Sequence, residues 1–231
     1  MIPRVLEPEV MDTPEEAADY DAMDHGAVNR AFVDDLLAAG PLGPDLLDLG
    51  TGTARIPIEL CGRIEDCRVM AADLAIEMLE IARYHIEIEG LTERIQLDRA
   101  DAKELPYADG MFDGVISNSI IHHVPEPLAV LHEAIRVTRP GGRLFFRDLM
   151  RPSSEAELQR LVATYAGEEN ERQQKMFADS LRAALTLDEI RERIVACGFE
   201  PGSVQATSDR HWTWSAVRSP AGDVEERDAP G

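Results

Sequence analysis

The chain has 231 residues, of which 44% are apolar, and a formal net charge of −21. This length and this apolar content suit one α/β domain with a modest addition. The negative charge repels phosphate backbones and anionic lipid, so we expect neither nucleic acid nor a membrane as a partner.

The first 30 residues form a predicted arm or flap, because residues 1–19 are acidic and interrupted by proline. From residue 31 onward, helices with an apolar face alternate with short apolar strands. In the first half of the chain the predicted helices and strands are 31–40, 45–50, 53–62, 68–73 and 75–90. This alternation is typical of βαβ units.

The same alternation continues as far as residue 150. The predicted strands are 95–101, 111–119 and 143–150, and a helix at 126–142 is closed by Pro140-Gly141-Gly142. Strands and helices in this order indicate a parallel sheet with helices on both faces.

The order of elements changes after residue 150. A helical insertion is predicted at 151–185, where two polar helices replace the sheet elements. Beyond it the pattern predicts one more helix and two alternating strands that form a hairpin, at 186–199, 203–209 and 211–217. Residues 218–231 are polar and contain proline and glycine, so we expect a disordered tail. The main domain is therefore predicted to span residues 31–217.

A glycine-rich turn separates the first predicted strand from the helix that follows it. Its sequence is Asp48-Leu49-Gly50-Thr51-Gly52-Thr53-Ala54. Glycine at such a turn lets the backbone approach a ligand closely, because no Cβ intrudes. Open α/β sheets bind ligands at this edge, at the carboxyl ends of the strands. A dinucleotide fingerprint would need a third glycine where Arg55 stands, and the leading Asp48 would repel a pyrophosphate.

This turn resembles the acid-x-Gly-x-Gly-x-Gly/Ala motif of the class I S-adenosylmethionine-dependent methyltransferases, with Ala54 in place of the third glycine. The resemblance covers about residues 20–217, because further motifs follow in the order of the family. It implies an α/β fold with a doubly wound, seven-stranded, mostly parallel sheet. That sheet would carry helices on both faces and end in an antiparallel C-terminal hairpin.

The resemblance also implies S-adenosyl-L-methionine as the cofactor. Asp73, which ends the second strand, would hold both ribose hydroxyls, because a carboxylate can accept from two donors. The same carboxylate could instead cap the following helix. Leu74 and Met78 would pack on the adenine, while Asp101 and Ala102 would bind its amino group and its ring.

The methionine part of the cofactor is assigned by the same resemblance. Asn118, at the end of the fourth strand, would contact it, and Tyr20 in the flap would bind its carboxylate. Tyr20 could also be an ordinary residue on a helix face. The predicted cofactor-binding residues are Tyr20, Asp48, Gly50, Thr51, Gly52, Asp73, Leu74, Met78, Asp101, Ala102 and Asn118.

Catalytic and substrate residues are sought at the mouth of the site. His122 and His123 follow the fourth strand, and a histidine can act as a base near neutral pH. They could equally pack and hydrogen-bond to the backbone. His25 in the flap is a candidate substrate contact, and Arg147 could bind an anionic substrate or form a surface ion pair. The scattered histidines do not have the spacing of a metal site, so no metal is expected.

The implied reaction is in-line transfer of the sulfonium methyl group to an unidentified small-molecule acceptor. Alternatives are a non-catalytic cofactor-binding or partner protein of the same fold and a nicotinamide-dependent oxidoreductase. Arg55 in the glycine turn disfavours the oxidoreductase. The three cysteines give no disulfide framework, and the first residues are too acidic and polar for a signal peptide. We therefore expect a cytoplasmic protein, with a homodimer left open.

Overall fold

The computed structural model describes residues 2–6, 13–23 and 26–219. Its strands are β1 (Asp45–Leu49), β2 (Arg68–Asp73), β3 (Ile95–Arg99), β4 (Phe112–Asn118), β5 (Thr138–Leu149), β6 (Val204–Ala206) and β7 (His211–Val217). Its helices are α1 (Pro14–Asp21), α2 (Gly26–Ala38), α3 (Arg55–Arg63), α4 (Ile76–Ile88), α5 (Pro127–Val137), α6 (Glu155–Tyr165), α7 (Glu171–Ala183) and α8 (Leu187–Ala196). A short 3-10 turn at Ile121–His123, here named the histidine turn, follows β4.

One sheet contains all seven of these strands, in the order β3-β2-β1-β4-β5-β7-β6. The first five strands in this order, β3-β2-β1-β4-β5, are parallel to one another. Strand β7 is antiparallel to both β5 and β6. The architecture confirms the predicted doubly wound, mostly parallel sheet with an antiparallel hairpin at its C-terminal end.

Both faces of the sheet are buried by helices. Successive side chains of a strand point to opposite sides, so each strand contributes to two apolar layers. On β1, Leu46 packs with Phe32 of α2 and Leu60 of α3. The next residue, Leu47, packs on the other face with Leu131 of α5. Each such buried side chain contributes about 1.5–3 kcal/mol. The two apolar layers together fix the ends of the parallel strands at one edge.

Helices α1, α6 and α7 lie over the carboxyl ends of the strands. Leu158 of α6 and Leu181 of α7 form an apolar cluster with Leu149, the last residue of β5. The side chain of Gln173 on α7 donates to the carbonyl of Asp19 on α1, at 3.3 Å. The predicted insertion therefore joins the N-terminal flap above the edge where ligands bind in such sheets.

The predicted boundaries differ most from the structure at two places. The helix predicted to reach residue 142 ends at Val137, and β5 begins at Thr138 with a register shift opposite Phe112 and Gly114. Helix α2 starts at Gly26 and so crosses the boundary predicted at residue 30. The division into arm, domain and insertion stays a prediction, and residues 220–231 of the predicted tail lie outside the described residues.

Candidate functional site

A cavity of about 720 Å³ opens at the carboxyl ends of the strands, beneath α1 and α7. This size is in the range of small-molecule sites. The sequence-predicted residues that line it are Tyr20, Gly50, Gly52, Asp73, Leu74, Met78, Asp101, Ala102, Asn118, His122 and His123. The structure therefore brings together most of the predicted site. His25 lies outside the described residues.

The glycine turn is fixed by hydrogen bonds from its backbone. The amides of Gly50 and Thr51 both donate to the carbonyl of Ala72 at the end of β2, at 2.9 and 3.0 Å. Gly50 and Gly52 have φ values of +69° and +54°, in the left-handed region that favours glycine. A Cβ on Gly50 would also lie 3.0 Å from the side chain of Ile120. The turn therefore needs glycine for its conformation and for its packing.

Asp48 lies beneath this turn and does not line the cavity. Its carboxylate is 2% exposed and accepts a hydrogen bond of 2.7 Å from the hydroxyl of Thr51, which also lies behind the cavity wall. Burial, together with the charge of Asp73, raises the pKa of Asp48 to about 7 although the bond from Thr51 opposes the shift. Asp48 therefore takes up a proton near neutral pH.

Asp73 faces the cavity at the end of β2. One oxygen accepts from the amide of Gly52 at 2.8 Å, and the other accepts from the amide of Ala75 at 2.9 Å. Asp73 thus joins the glycine turn to the segment before α4, whose N-cap residue is Ala75 without a side-chain cap. The amide of Leu74 also hydrogen-bonds to this carboxylate, which has about four acceptor positions and so keeps capacity for a ligand. Burial raises the pKa of this carboxyl, because charge is costly there.

The flap residue Tyr20 lies over the glycine turn. A Cβ on Gly52 would be 3.8 Å from its ring. Burial, with the charge of Asp73 next in importance, raises the pKa of Tyr20 to about 12. The phenol therefore keeps its proton and can donate a hydrogen bond. The side chain of Tyr20 packs beside Met78 and Ala75 at the start of α4.

Two further predicted residues extend this wall across the sheet. Asp101 accepts from the backbone amide of Lys103 at 2.9 Å and pairs with its ammonium group at 3.0 Å. Burial alone would raise the pKa of Asp101, but Lys103 lowers it overall. At the end of β4, Asn118 lines the cavity, and no donor among the described residues meets its buried Oδ1. A buried polar atom without a partner indicates a ligand position.

The two histidines of the histidine turn have different surroundings. His122 is buried, and its Nδ1 lies 2.6 Å from Oδ1 of Asp148 on β5. The other carboxylate oxygen of Asp148 accepts from the amides of Ile121 and His122, at 2.6 and 3.2 Å. The ring of His123 stacks on that of His122, with centroids 4.1 Å apart. Burial would raise the pKa of Asp148, but the charge of His122 and the hydrogen bonds from the His122 ring and the amide of Leu149 lower it overall.

The far end of the cavity is formed by the insertion and the C-terminal hairpin. Apolar side chains here include Met176 and Phe177 of α7. Burial and the charges of Arg210 and Arg147 lower the pKa of His211 to about 4, so this ring is neutral at pH 7. The guanidinium of Arg210 lies 3.4 Å from the centroid of the Tyr165 ring, a cation–π contact.

Cations at this end are already paired with acids. Arg172 pairs with Asp19 at 3.0 Å, and Lys175 pairs with Asp179 at 2.5 Å. This wall therefore presents little net charge to a ligand.

The expected position of Arg147 at the mouth of the site is wrong. Its guanidinium lies on the opposite face of the sheet, buried beside Phe32, and bonds to Asp35 at 2.5 Å and to Thr213 at 3.0 Å. Arg147 is absent from the cavity lining, so the structure does not support it as a substrate residue. Alternation along β5 sends Arg147 and its neighbour Asp148 to opposite faces.

Asp148 is the site residue that sequence reasoning missed. Asp148 is 1% exposed, and its carboxylate lies 2.6 Å from Nδ1 of His122. Period-two alternation of the strand was the available signal, since it allows only one of the two charged side chains to face the site.

The geometry and the fold resemble those of the class I S-adenosylmethionine-dependent methyltransferases. Residues 47–146 match the family model described as a methyltransferase domain. The fold is similar to that of an S-adenosylmethionine-dependent methyltransferase from Aquifex aeolicus, with a TM-score of 0.68 and 19% identity over 89% of this chain and 98% of that chain. These matches support S-adenosylmethionine as the cofactor and favour a methyltransferase over an oxidoreductase.

Curated relatives include enzymes with different acceptors. The chain is 31% identical to 27-O-demethylrifamycin SV methyltransferase from Amycolatopsis mediterranei, over 76% of this chain and 62% of that protein. It is 31% identical to the ubiquinone/menaquinone biosynthesis C-methyltransferase from Vibrio cholerae, over 65% of this chain and 60% of that protein. The chain thus spans about three fifths of the length of these relatives.

Residues 2–6, 13–23 and 26–219 contain neither a membrane-spanning helix nor a cluster of metal ligands. No helix there is long and apolar enough to cross a membrane. No group of three or more histidine, cysteine, aspartate and glutamate residues there could hold a metal ion.

Proposed function

We propose that this protein transfers the methyl group of S-adenosylmethionine to a small-molecule acceptor. The observation that carries the proposal is the row of polar groups at the carboxyl ends of β3, β2 and β4. Asp101, Asp73 and Asn118 line one continuous wall and differ in what they can bind. The two carboxylates accept from an amino group and from sugar hydroxyls, and the amide oxygen suits an ammonium group.

The residues present fit this cofactor on structural grounds. The buried Oδ1 of Asn118 has no donor among the described residues, and a ligand ammonium would supply one. Asp73 keeps acceptor capacity while backbone amides hold it in place. Gly50 and Gly52 line the cavity without a side chain, so the backbone of the glycine turn would come close to the ligand.

The bound cofactor would supply a sulfonium methyl group, which leaves to a nucleophile without further activation. The protein then has to hold the acceptor in line and keep water away, and positioning can contribute about 7–11 kcal/mol. Helices α1 and α7 meet over the cavity through Asp19 and Gln173. This roof is suited to exclude water from the methyl group.

A base is needed when the acceptor atom is protonated at neutral pH, as in a hydroxyl group. We assign this role to His122. Because Asp148 accepts from Nδ1–H, the basic lone pair of the neutral ring lies on Nε2. The buried carboxylate also stabilises the imidazolium that forms after proton transfer. His123 stacks on this ring and contributes to its orientation.

The acceptor is proposed to have an apolar body. Met176 and Phe177 line the far end of the cavity, where Arg172 and Lys175 are already paired with acids. A strongly anionic acceptor would have to compete with these ion pairs. The names of the two curated relatives refer to a rifamycin and to quinones, which agrees with a mainly apolar acceptor.

The proposal is tested first by cofactor binding. Calorimetry with S-adenosylhomocysteine should show binding to the wild type and more than tenfold weaker binding to Asp73→Asn. The amide loses one charged acceptor, and a hydrogen bond to a charged group contributes about 1.5–3 kcal/mol. Asp98→Asn is the matched control. Asp98 lies on β3, next to β2, and its carboxylate accepts from the hydroxyl of Tyr107 at 2.8 Å. It is not part of the cavity lining.

The second step of the test is turnover. Release of S-adenosylhomocysteine is measured with a panel of apolar compounds that carry hydroxyl groups. His122→Ala should bind the cofactor product as the wild type does but lose at least a hundredfold in turnover, the usual contribution of a base. No binding by the wild type would overturn the whole proposal. Binding without turnover on any compound would favour the non-catalytic alternative.

A further inference from the structure

The segment at residues 2–6 reaches the back of the histidine turn through one side chain. Nε of Arg4 donates to the carbonyl of Ala183, the last residue of α7, at 2.7 Å. Its Nη2 donates to the carbonyls of Val124 and His122, at 3.0 and 3.4 Å. One guanidinium therefore joins the end of the insertion to the turn that carries the proposed base.

The chemistry of these contacts suits a fixed cation. The last carbonyls of a helix have no partner within the helix and carry partial negative charge, so a guanidinium stabilises them. Arginine presents several donors in a rigid planar fork, which lysine cannot do. Burial lowers the pKa of Arg4, and the nearby charges of Glu189 and Asp148 oppose that shift. The side chain thus sits in a partly desolvated position close to the His122–Asp148 pair.

Two further contacts hold the segment in place. The amide of Val5 donates to the carbonyl of Arg182 at 3.2 Å. The side chain of Ile2 packs against the apolar cluster that contains Leu149 and Leu181. The segment that carries Arg4 is therefore also held against α7 by contacts of Val5 and Ile2.

We propose that Arg4 is a positioning residue of the methyl-transfer site, which fixes the histidine turn against α7 and so sets the orientation of the His122 ring. This inference rests on the proposed function of His122 as a base. It makes the N-terminal segment part of the active site, although Arg4 itself lies behind the cavity wall. The guanidinium of Arg4 acts on the histidine turn by bonding to its backbone carbonyls, and on the His122–Asp148 pair by its positive charge.

The test is a pH titration of the His122 ring by nitrogen-15 NMR in the full chain saturated with S-adenosylhomocysteine. The charged or titratable groups that act on Asp148 or on Arg4 are His122, His123, His211, Arg151, Glu189 and Arg193. Arg4→Met removes a positive charge, so the midpoint for His122 should rise by at least half a pH unit. The amides of Ile121 and His122, which donate to Asp148, should exchange with solvent at least tenfold faster.

Arg4→Lys separates charge from geometry and also decides the case if Arg4→Met does not fold. Lysine keeps the charge but not the fork, so the His122 midpoint should stay near the wild-type value while the two amides still exchange faster. Val5→Ala is the matched control, since its side chain is exposed and its amide is unchanged. It should behave as the wild type in both measurements.

The outcomes separate this inference from the proposed function. If the wild type does not bind S-adenosylhomocysteine, the proposed function fails. If it binds, and neither Arg4 variant changes the His122 titration or the exchange of the two amides, Arg4 is only a surface anchor and the inference is overturned. A change in the exchange of Ile121 and His122 in both variants, with a shifted midpoint in Arg4→Met alone, supports it.

Discussion

Asp48 has a cost in stability that should depend on pH. Its carboxylate lies beneath the glycine turn, 2% exposed, with the hydroxyl of Thr51 as a hydrogen-bond donor. Burial raises its pKa to about 7, from an ordinary value of 3.8. The folded protein therefore holds this proton more tightly than the unfolded chain does. We predict that Asp48→Asn is more stabilising at pH 8 than at pH 5.

The size of the effect follows from the two pKa values. Between about pH 4 and pH 7 the native state binds more protons than the unfolded state, so the free energy of unfolding falls as the pH rises. Each pH unit in this window costs about 1.4 kcal/mol, which amounts to about 4 kcal/mol once the pH exceeds 7. Between pH 5 and pH 8 the wild type should lose about 3 kcal/mol from this group alone.

The assay is urea denaturation, followed by circular dichroism, for both proteins without ligand at pH 5 and pH 8. The unfolding free energy of Asp48→Asn minus that of the wild type should be more positive at pH 8 by about 3 kcal/mol. Asp45→Asn is the control, because Asp45 lies at the exposed end of the same strand and bonds to Arg68. An equal difference at the two pH values for Asp48→Asn would refute the reasoning.

Two further predictions concern residues of the adjacent strands. Arg147→Met should destabilise the fold by about 1–3 kcal/mol, because it removes the hydrogen bonds of a buried guanidinium to Asp35 and Thr213. It should leave the affinity for S-adenosylhomocysteine within twofold; a tenfold loss would show that Arg147 contributes to cofactor binding. Ser119 has a φ of +66°. Ser119→Gly should raise the free energy of unfolding by about 1 kcal/mol, as measured in urea, because glycine adopts this conformation without strain; an unchanged value would show that the serine is not strained.

The order of the elements could be predicted because it depends on local patterns. The apolar residues of β1 are a short run between Pro44 and Gly50, and those of α4 repeat at helical spacing, so both elements are encoded by neighbouring residues. The glycine turn was predictable for the same reason, since its conformation depends on Gly50 and Gly52 themselves. The position of Asp73 in the site could be predicted from its place at the end of β2.

Other parts of the site depend on contacts between distant residues. Which face Arg147 occupies is decided by the packing of α2, where Phe32 and Asp35 receive the guanidinium. The same packing leaves Asp148 to hold His122 on the other face. No local pattern predicts the contact of Arg4 with Ala183, which are 179 residues apart in the chain. Such pairs become visible only when the layers are assembled.

Backbone strain in the described residues is concentrated where the ligand is proposed to bind. The two non-glycine residues there with positive φ are Ala54 and Ser119. Ser119 lines the cavity, and Ala54 is the buried residue that ends the glycine turn at the start of α3. Such conformations persist only when the surroundings determine them. Here the amides of Gly50 and Thr51 are fixed by Ala72, and that of Ser119 by Arg147. A ligand therefore meets backbone that is already ordered, so binding need not supply the entropy of ordering it.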